Sequence, residues 1–99
     1  MFAIFDTEST GLNITTVTTT LVKSGTSIVD SLIINTAAAS AVIKIYDDVS
    51  AVAGSLKATI TMPAVLLASQ IQLNYKIKCN KGITIVTSVA AQDITVAYR

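Results

Sequence analysis

The chain has no histidine and no tryptophan, one cysteine, one proline and four glycines, and only 13% of its residues are charged. Each scarcity excludes something. Without histidine there is no imidazole to serve as a general base near neutral pH or as a metal ligand, and a Ser-His-Asp arrangement is impossible. Cys79, the single cysteine, can form neither an intrachain disulfide nor a thiolate zinc cluster. Seven Lys/Arg face six Asp/Glu, far from the basic excess of a nucleic-acid footprint, so no nucleic-acid partner is expected. No run of about 18 apolar residues is present to cross a membrane as a helix. Residues 1–9 carry Asp6 and Glu8 and lack the basic start of a secretory signal. The expectation is a protein made and assembled inside a cell, with no membrane partner.

What is abundant points to strands. Thirteen Ile, ten Val and fourteen Thr make up 37 of the 99 residues, and such side chains are stiff at χ1 and suit a pleated surface. The length allows one domain. Residues 1–11 read as an N-terminal arm, with Phe2, Ile4 and Phe5 apolar and a turn-forming run after them. Residues 12–99 read as a single β-sandwich domain.

Strands are predicted over residues 14–23, 27–35, 41–46, 56–62, 70–80, 83–87 and 93–98. Residues 64–69 stay open between a loop, a helical turn and a short strand. The firmest pattern is 70–80, where Ile71, Leu73, Tyr75, Ile77 and Cys79 alternate with Gln72, Asn74, Lys76, Lys78 and Asn80. In 56–62 Leu56, Ala58, Ile60 and Met62 are expected to share one face and Lys57, Thr59 and Thr61 the other, and in 41–46 the row Ala41, Ile43, Ile45 is expected to face inward. No connection can hold a long amphipathic helix. The fold class is all-β: an antiparallel β-sandwich, jelly-roll-like, of seven or eight short strands.

Candidate chemistry is sparse. Asp47 and Asp48 lack the spacing of a calcium loop and read as a strand-end turn. Asp30 sits among apolar residues, where burial raises a carboxyl pKa; a backbone cap or a pair with a lysine is the expected role. Cys79 lies on an apolar row and reads as a small buried hydrophobe. Lys81-Gly82 lacks the further glycines of a phosphate loop and reads as a turn. Tyr46, Tyr75 and Tyr98 are expected to pack in the core or at an interface. No catalytic, cofactor or metal site is expected. The candidate interface residues are Phe2, Ile4 and Phe5 of the arm, Thr16, Thr18 and Thr20, which are expected to share one face of the first strand, and Lys76 and Lys78 on an outward row.

Several short runs, taken in order, carry a resemblance. They are Asp30-Ser31-Leu32-Ile33-Ile34-Asn35, Lys44-Ile45-Tyr46-Asp47, Gly54-Ser55-Leu56, Lys81-Gly82-Ile83-Thr84-Ile85 and Asp93-Ile94-Thr95-Val96-Ala97-Tyr98-Arg99. Over residues 25–99 the chain resembles small tailed-bacteriophage virion proteins with β-sandwich folds. It departs from their usual pattern at Gly82-Ile83, where Gly-Leu is usual. The resemblance implies a structural role in capsid decoration, head–tail joining or a tail fibre, and no enzyme activity. It implies a homo-oligomer, a trimer by preference or a ring, bound to a phage capsid or tail protein, in a virion assembled in the host cytoplasm. The other reading of the residues is a carbohydrate-binding β-sandwich module, which needs exposed tyrosines beside Asp or Asn on one face.

Overall fold

The computed structural model describes residues 9–65 and 71–99. Eight strands run through them: β1 (Thr10–Ile14), β2 (Thr19–Ser24), β3 (Ser27–Thr36), β4 (Val42–Tyr46), β5 (Leu56–Thr61), β6 (Ile71–Cys79), β7 (Gly82–Ser88) and β8 (Asp93–Tyr98). A single 3-10 turn, Ala53–Ser55, precedes β5. Their antiparallel pairs nest around the β4–β5 hairpin: β3 with β6, β2 with β7 and β1 with β8. Rolling this ribbon adds the β3–β8 and β4–β7 pairs. The result is two four-stranded sheets, β1-β8-β3-β6 (sheet A) and β2-β7-β4-β5 (sheet B). That is a jelly-roll sandwich, with the larger of the two expected strand numbers. No helix among the described residues is long and apolar enough to cross a membrane.

The core is aliphatic. Leu32, Ile34, Ile94 and Val96 of sheet A and Ile43, Ile45, Ile83 and Ile85 of sheet B are wholly buried in one cluster. Burying each such side chain stabilises the fold by about 1.5–3 kcal/mol. The inward row predicted for residues 41–46 is correct: Ala41, Ile43 and Ile45 are all buried.

Three expectations need correction. Residues 14–23 are not one strand. Ile14 pairs with Ile94 in sheet A, whereas Thr19 pairs with Val86 in sheet B, so the chain crosses between the sheets at residues 15–18. The buried Thr87 ties that crossover down: its hydroxyl donates to the Thr16 carbonyl at 2.6 Å and accepts the Thr18 amide at 3.0 Å. Thr10 and Gly11, expected in the arm, already belong to β1. Leu56, expected on one face with Ala58, Ile60 and Met62, is 41% exposed and does not share it. An extra residue, Lys57, bulges from β5 between the Ile45–Ala58 and Tyr46–Leu56 pairs and turns Leu56 to the outer face. Phe2, Ile4, Phe5 and residues 66–69 of the open segment lie outside the described residues.

Gly82 shows how tightly the strand ends converge. A Cβ there would lie 2.7 Å from the Lys23 carbonyl oxygen and 3.3 Å from that of Asp48, at a φ of +156°. Backbone cannot yield cheaply, so Gly82→Ala is expected to cost about 1–3 kcal/mol in urea unfolding. Gly54 faces open space, and Gly54→Ala is expected to stay within about 0.5 kcal/mol of the parent.

Candidate functional site

The acidic side chains that are candidates for chemistry are engaged in separate structural roles. Asp47 follows β4. Its own amide donates to the Ser55 carbonyl at 2.8 Å, which closes the loop between β4 and β5. Its carboxylate accepts the Lys81 amide of the β6–β7 turn at 2.9 Å. That bond, with further help from the Asn80 and Gly82 amides, holds the Asp47 carboxyl below the usual carboxylate range against the opposing effect of burial. Asp48 accepts the Val49 amide at 2.7 Å and the Ser55 hydroxyl at 3.1 Å. Its carbonyl accepts the Thr84 hydroxyl at 2.7 Å. Lys81 Nζ lies 3.9 Å from its carboxylate. The Asp47-Asp48 pair is thus a strand-end turn, as expected, and it pins the loop across the outer face of sheet B.

Asp93 opens β8 at the opposite end of the sandwich. Its Oδ1 accepts Asn13 Nδ2 at 2.6 Å and Asn35 Nδ2 at 3.1 Å, and Asn35 also donates to Thr95 Oγ1 at 2.9 Å. This cluster joins β1, β3 and β8 across the outer face of sheet A.

Asp30 stands within β3 and is buried. Its Oδ2 accepts Arg99 Nε at 2.7 Å and the Ser9 hydroxyl. The charged partner is therefore an arginine, not the expected lysine. The hydrogen bond from Arg99, followed by that from Ser9, lowers the Asp30 pKa in spite of burial. The position is a double irregularity. β3 has one residue more than β8 between the Val29–Tyr98 and Ser31–Ala97 pairs, and β6 has one more than β3 between Val29–Ile77 and Ser31–Asn74. Lys76, in the β6 bulge, has a left-handed φ of 54°. Because of the bulge, Val29, Leu32 and Ile34 all point inward, which strict alternation forbids. Only the isolated acid in an apolar run hinted at this in the sequence.

The remaining candidates are placed as follows. Cys79 is buried, as expected, and burial pushes its thiol pKa up, with the Asp47 charge adding to the effect. Tyr46 is buried, and Tyr75 and Tyr98 pack against the core, which is not the exposed platform a sugar would stack on. Lys76 and Lys78 are exposed on β6, an edge strand. Thr16, Thr18 and Thr20 do not form one row. Thr16 lies in the crossover, the Thr18 amide pairs with the Thr87 carbonyl at 3.2 Å, and Thr20 in β2 pairs with the core residue Ile85. No group of three or more His, Cys, Asp or Glu among the described residues is placed to hold a metal ion.

Sequence reasoning missed the outer face of sheet B. Cross-strand pairing sets Leu21, Thr84, Tyr46 and Leu56 in one row and Thr19, Val86, Lys44 and Thr59 in the next. Leu21 is 50% exposed. On sheet A the outer rows are Gly11, Ala97, Ser31, Asn74 and Asn13, Thr95, Ile33, Gln72. Lys44 is the only charged residue in these four rows. Comparison with protein-family models, with curated proteins and with solved structures gives no match.

The Asp47 geometry fixes a pH dependence. A carboxyl whose pKa is lowered by folding contributes stability that is complete above the unfolded value of about 3.9 and fades as pH falls through the folded one. Asp47→Asn is expected to lose about 1–3 kcal/mol in urea unfolding near pH 7. The gap to the parent should narrow as the pH drops below about 4 and close once it has fallen through the lower folded value, where both proteins carry a neutral side chain.

Proposed function

We propose that the protein is a non-enzymatic structural component of a virion, which self-assembles and seats on a phage head or tail surface. The observation that supports this most is how charge is distributed. The two middle outer rows of each sheet carry a single charge, Lys44, and sheet B leaves Leu21 and Leu56 half exposed. Removing such a surface from water costs little desolvation and gains apolar burial.

The edges are built the other way. In three of the four edge strands, β2, β5 and β6, the pairing slips by an extra residue on the edge strand itself. Lys57 and Lys76 lie in two of those bulges. Bulges and lysines blunt an edge against further strand pairing. Contact through faces is therefore favoured over sheet extension.

Jelly rolls serve in viral capsids and in lectins, so the fold agrees with the resemblance in the sequence without deciding between roles. A trimer is the preferred assembly, a ring the other, with the chain acting in a virion put together in the host cytoplasm. Size-exclusion chromatography with light scattering tests the self-assembly. The parent is expected at a multiple of the chain mass, three by preference, and the double variant Leu21→Asp, Leu56→Asp at one chain mass with its fold kept. A parent that stays at one chain mass at high concentration overturns self-assembly.

A further inference from the structure

Among the described residues, Asp30 is the only acidic side chain set inside a strand rather than at a strand end or in a loop. One of its oxygens gathers two distant parts of the chain. Oδ2 accepts the hydroxyl of Ser9, just before β1, and Nε of Arg99, just after β8. Arg99 is itself seated by main-chain bonds with Ile28 of 2.8 and 2.9 Å, so it is the fixed side of the contact. Oδ1 is buried and has no hydrogen-bond partner among the described residues. A carboxylate buried this way is held by its few contacts and not by solvent.

Among the described residues, the start of the strand that follows Ser9 is held otherwise by its ladder with β8 and by few buried side chains. β1 is a five-residue edge strand, with Thr10 and Gly11 exposed, Leu12 half-buried and only Ile14 buried. Short edge segments with few buried side chains open at the smallest cost in a fold.

We propose that Asp30 is an acid-released latch for β1. Ionised, it clamps Ser9 against Arg99 and keeps the first half of β1 on β8. Protonated, it retains only ordinary hydrogen bonds, which are weaker than those to a charged acceptor, and the first half of β1 peels away while the sandwich stays folded. Among the described residues, the charged groups acting on Asp30 are Arg99 beyond β8 and Lys76 in β6, and β1 itself carries none. Both are cations that favour the ionised form, so the latch is closed above the ordinary carboxyl value of about 3.9 and opens as pH falls through the lower folded one. The inference is independent of the virion reading.

Backbone 15N relaxation of the whole chain, near pH 6.5 and near pH 2.5, tests it. In the parent, Thr10 and Gly11 are expected at the rigid order parameter of about 0.85 at the higher pH and below about 0.6 at the lower, with Leu32 and Val96 rigid at both. Asp30→Asn is expected to be loose at Thr10 and Gly11 at both pH values. Ser9→Ala removes the tie without touching the core. It is expected to be loose there near pH 6.5 with Leu32 and Val96 unchanged. The latch is overturned if Thr10 and Gly11 stay rigid in Ser9→Ala. It is equally overturned if acid loosens them in Asp30→Asn as much as in the parent, or if Leu32 and Val96 loosen together with them in acid.

Discussion

The aliphatic layer between the two sheets is the constraint on which the rest of the molecule depends. A chain of 99 residues has few side chains to place in a core, and this one fills the space with isoleucine above all. Ile34 and Ile94 on one sheet and Ile43, Ile45, Ile83 and Ile85 on the other are wholly buried. Such a layer forms only if each inner strand presents alternate residues to it. The nested pairing of the jelly roll meets that demand by laying β3 and β8 at the centre of one sheet and β4 and β7 at the centre of the other.

The polar residues then have a narrow range of tasks. Every crossing between sheets leaves main-chain groups at the ends of the sandwich that need partners. Thr87 supplies them at the 15–18 crossover, and Asp47 and Asp48 supply others. Asp47 joins the end of β4 to the β6–β7 turn, and Asp48 binds the loop that follows it. Asp93 collects side chains from β1 and β3. These carboxylates act as acceptors, and the pKa of Asp47 lies low for that reason. A general acid is tuned in the opposite direction, upward toward its working pH.

The layers were legible in the sequence, whereas the irregularities were not. Period two was plain in residues 41–46 and 70–80 because apolar and polar side chains alternate there. In residues 14–23 threonine stands on both faces, and threonine suits either the inside or the outside of a strand. The crossover at residues 15–18 therefore left no mark, and the threonine row expected of Thr16, Thr18 and Thr20 does not exist. Bulges are equally silent in a single sequence. The slip at Lys57 moved Leu56 outward, and the slip at Asp30 changed which residues of β3 point into the core. Of the candidate site, the buried Cys79 and the turn at Asp47-Asp48 were foreseen from local pattern. The meeting of Ser9, Asp30 and Arg99 was not, because it joins residues 21 and 69 positions apart.

Those bulges tie the architecture to the surface it offers. A bulge increases local twist and disrupts the ladder at an edge, so β2, β5 and β6 are poor templates for another strand. β1 alone among the edge strands pairs without a slip, and it carries no charge. It is thus the edge with least built-in protection, and its entry is where the Asp30 contact sits. The faces are flatter in chemistry than the edges: Gly11, Ala97 and Ser31 stand side by side on sheet A, and Leu21 and Leu56 flank Tyr46 and Thr84 on sheet B. The low overall charge follows from this division. The middle outer rows carry only Lys44, and the other lysines and carboxylates fall mostly at strand ends, loops and edge strands, where they fix the ends and discourage sheet extension.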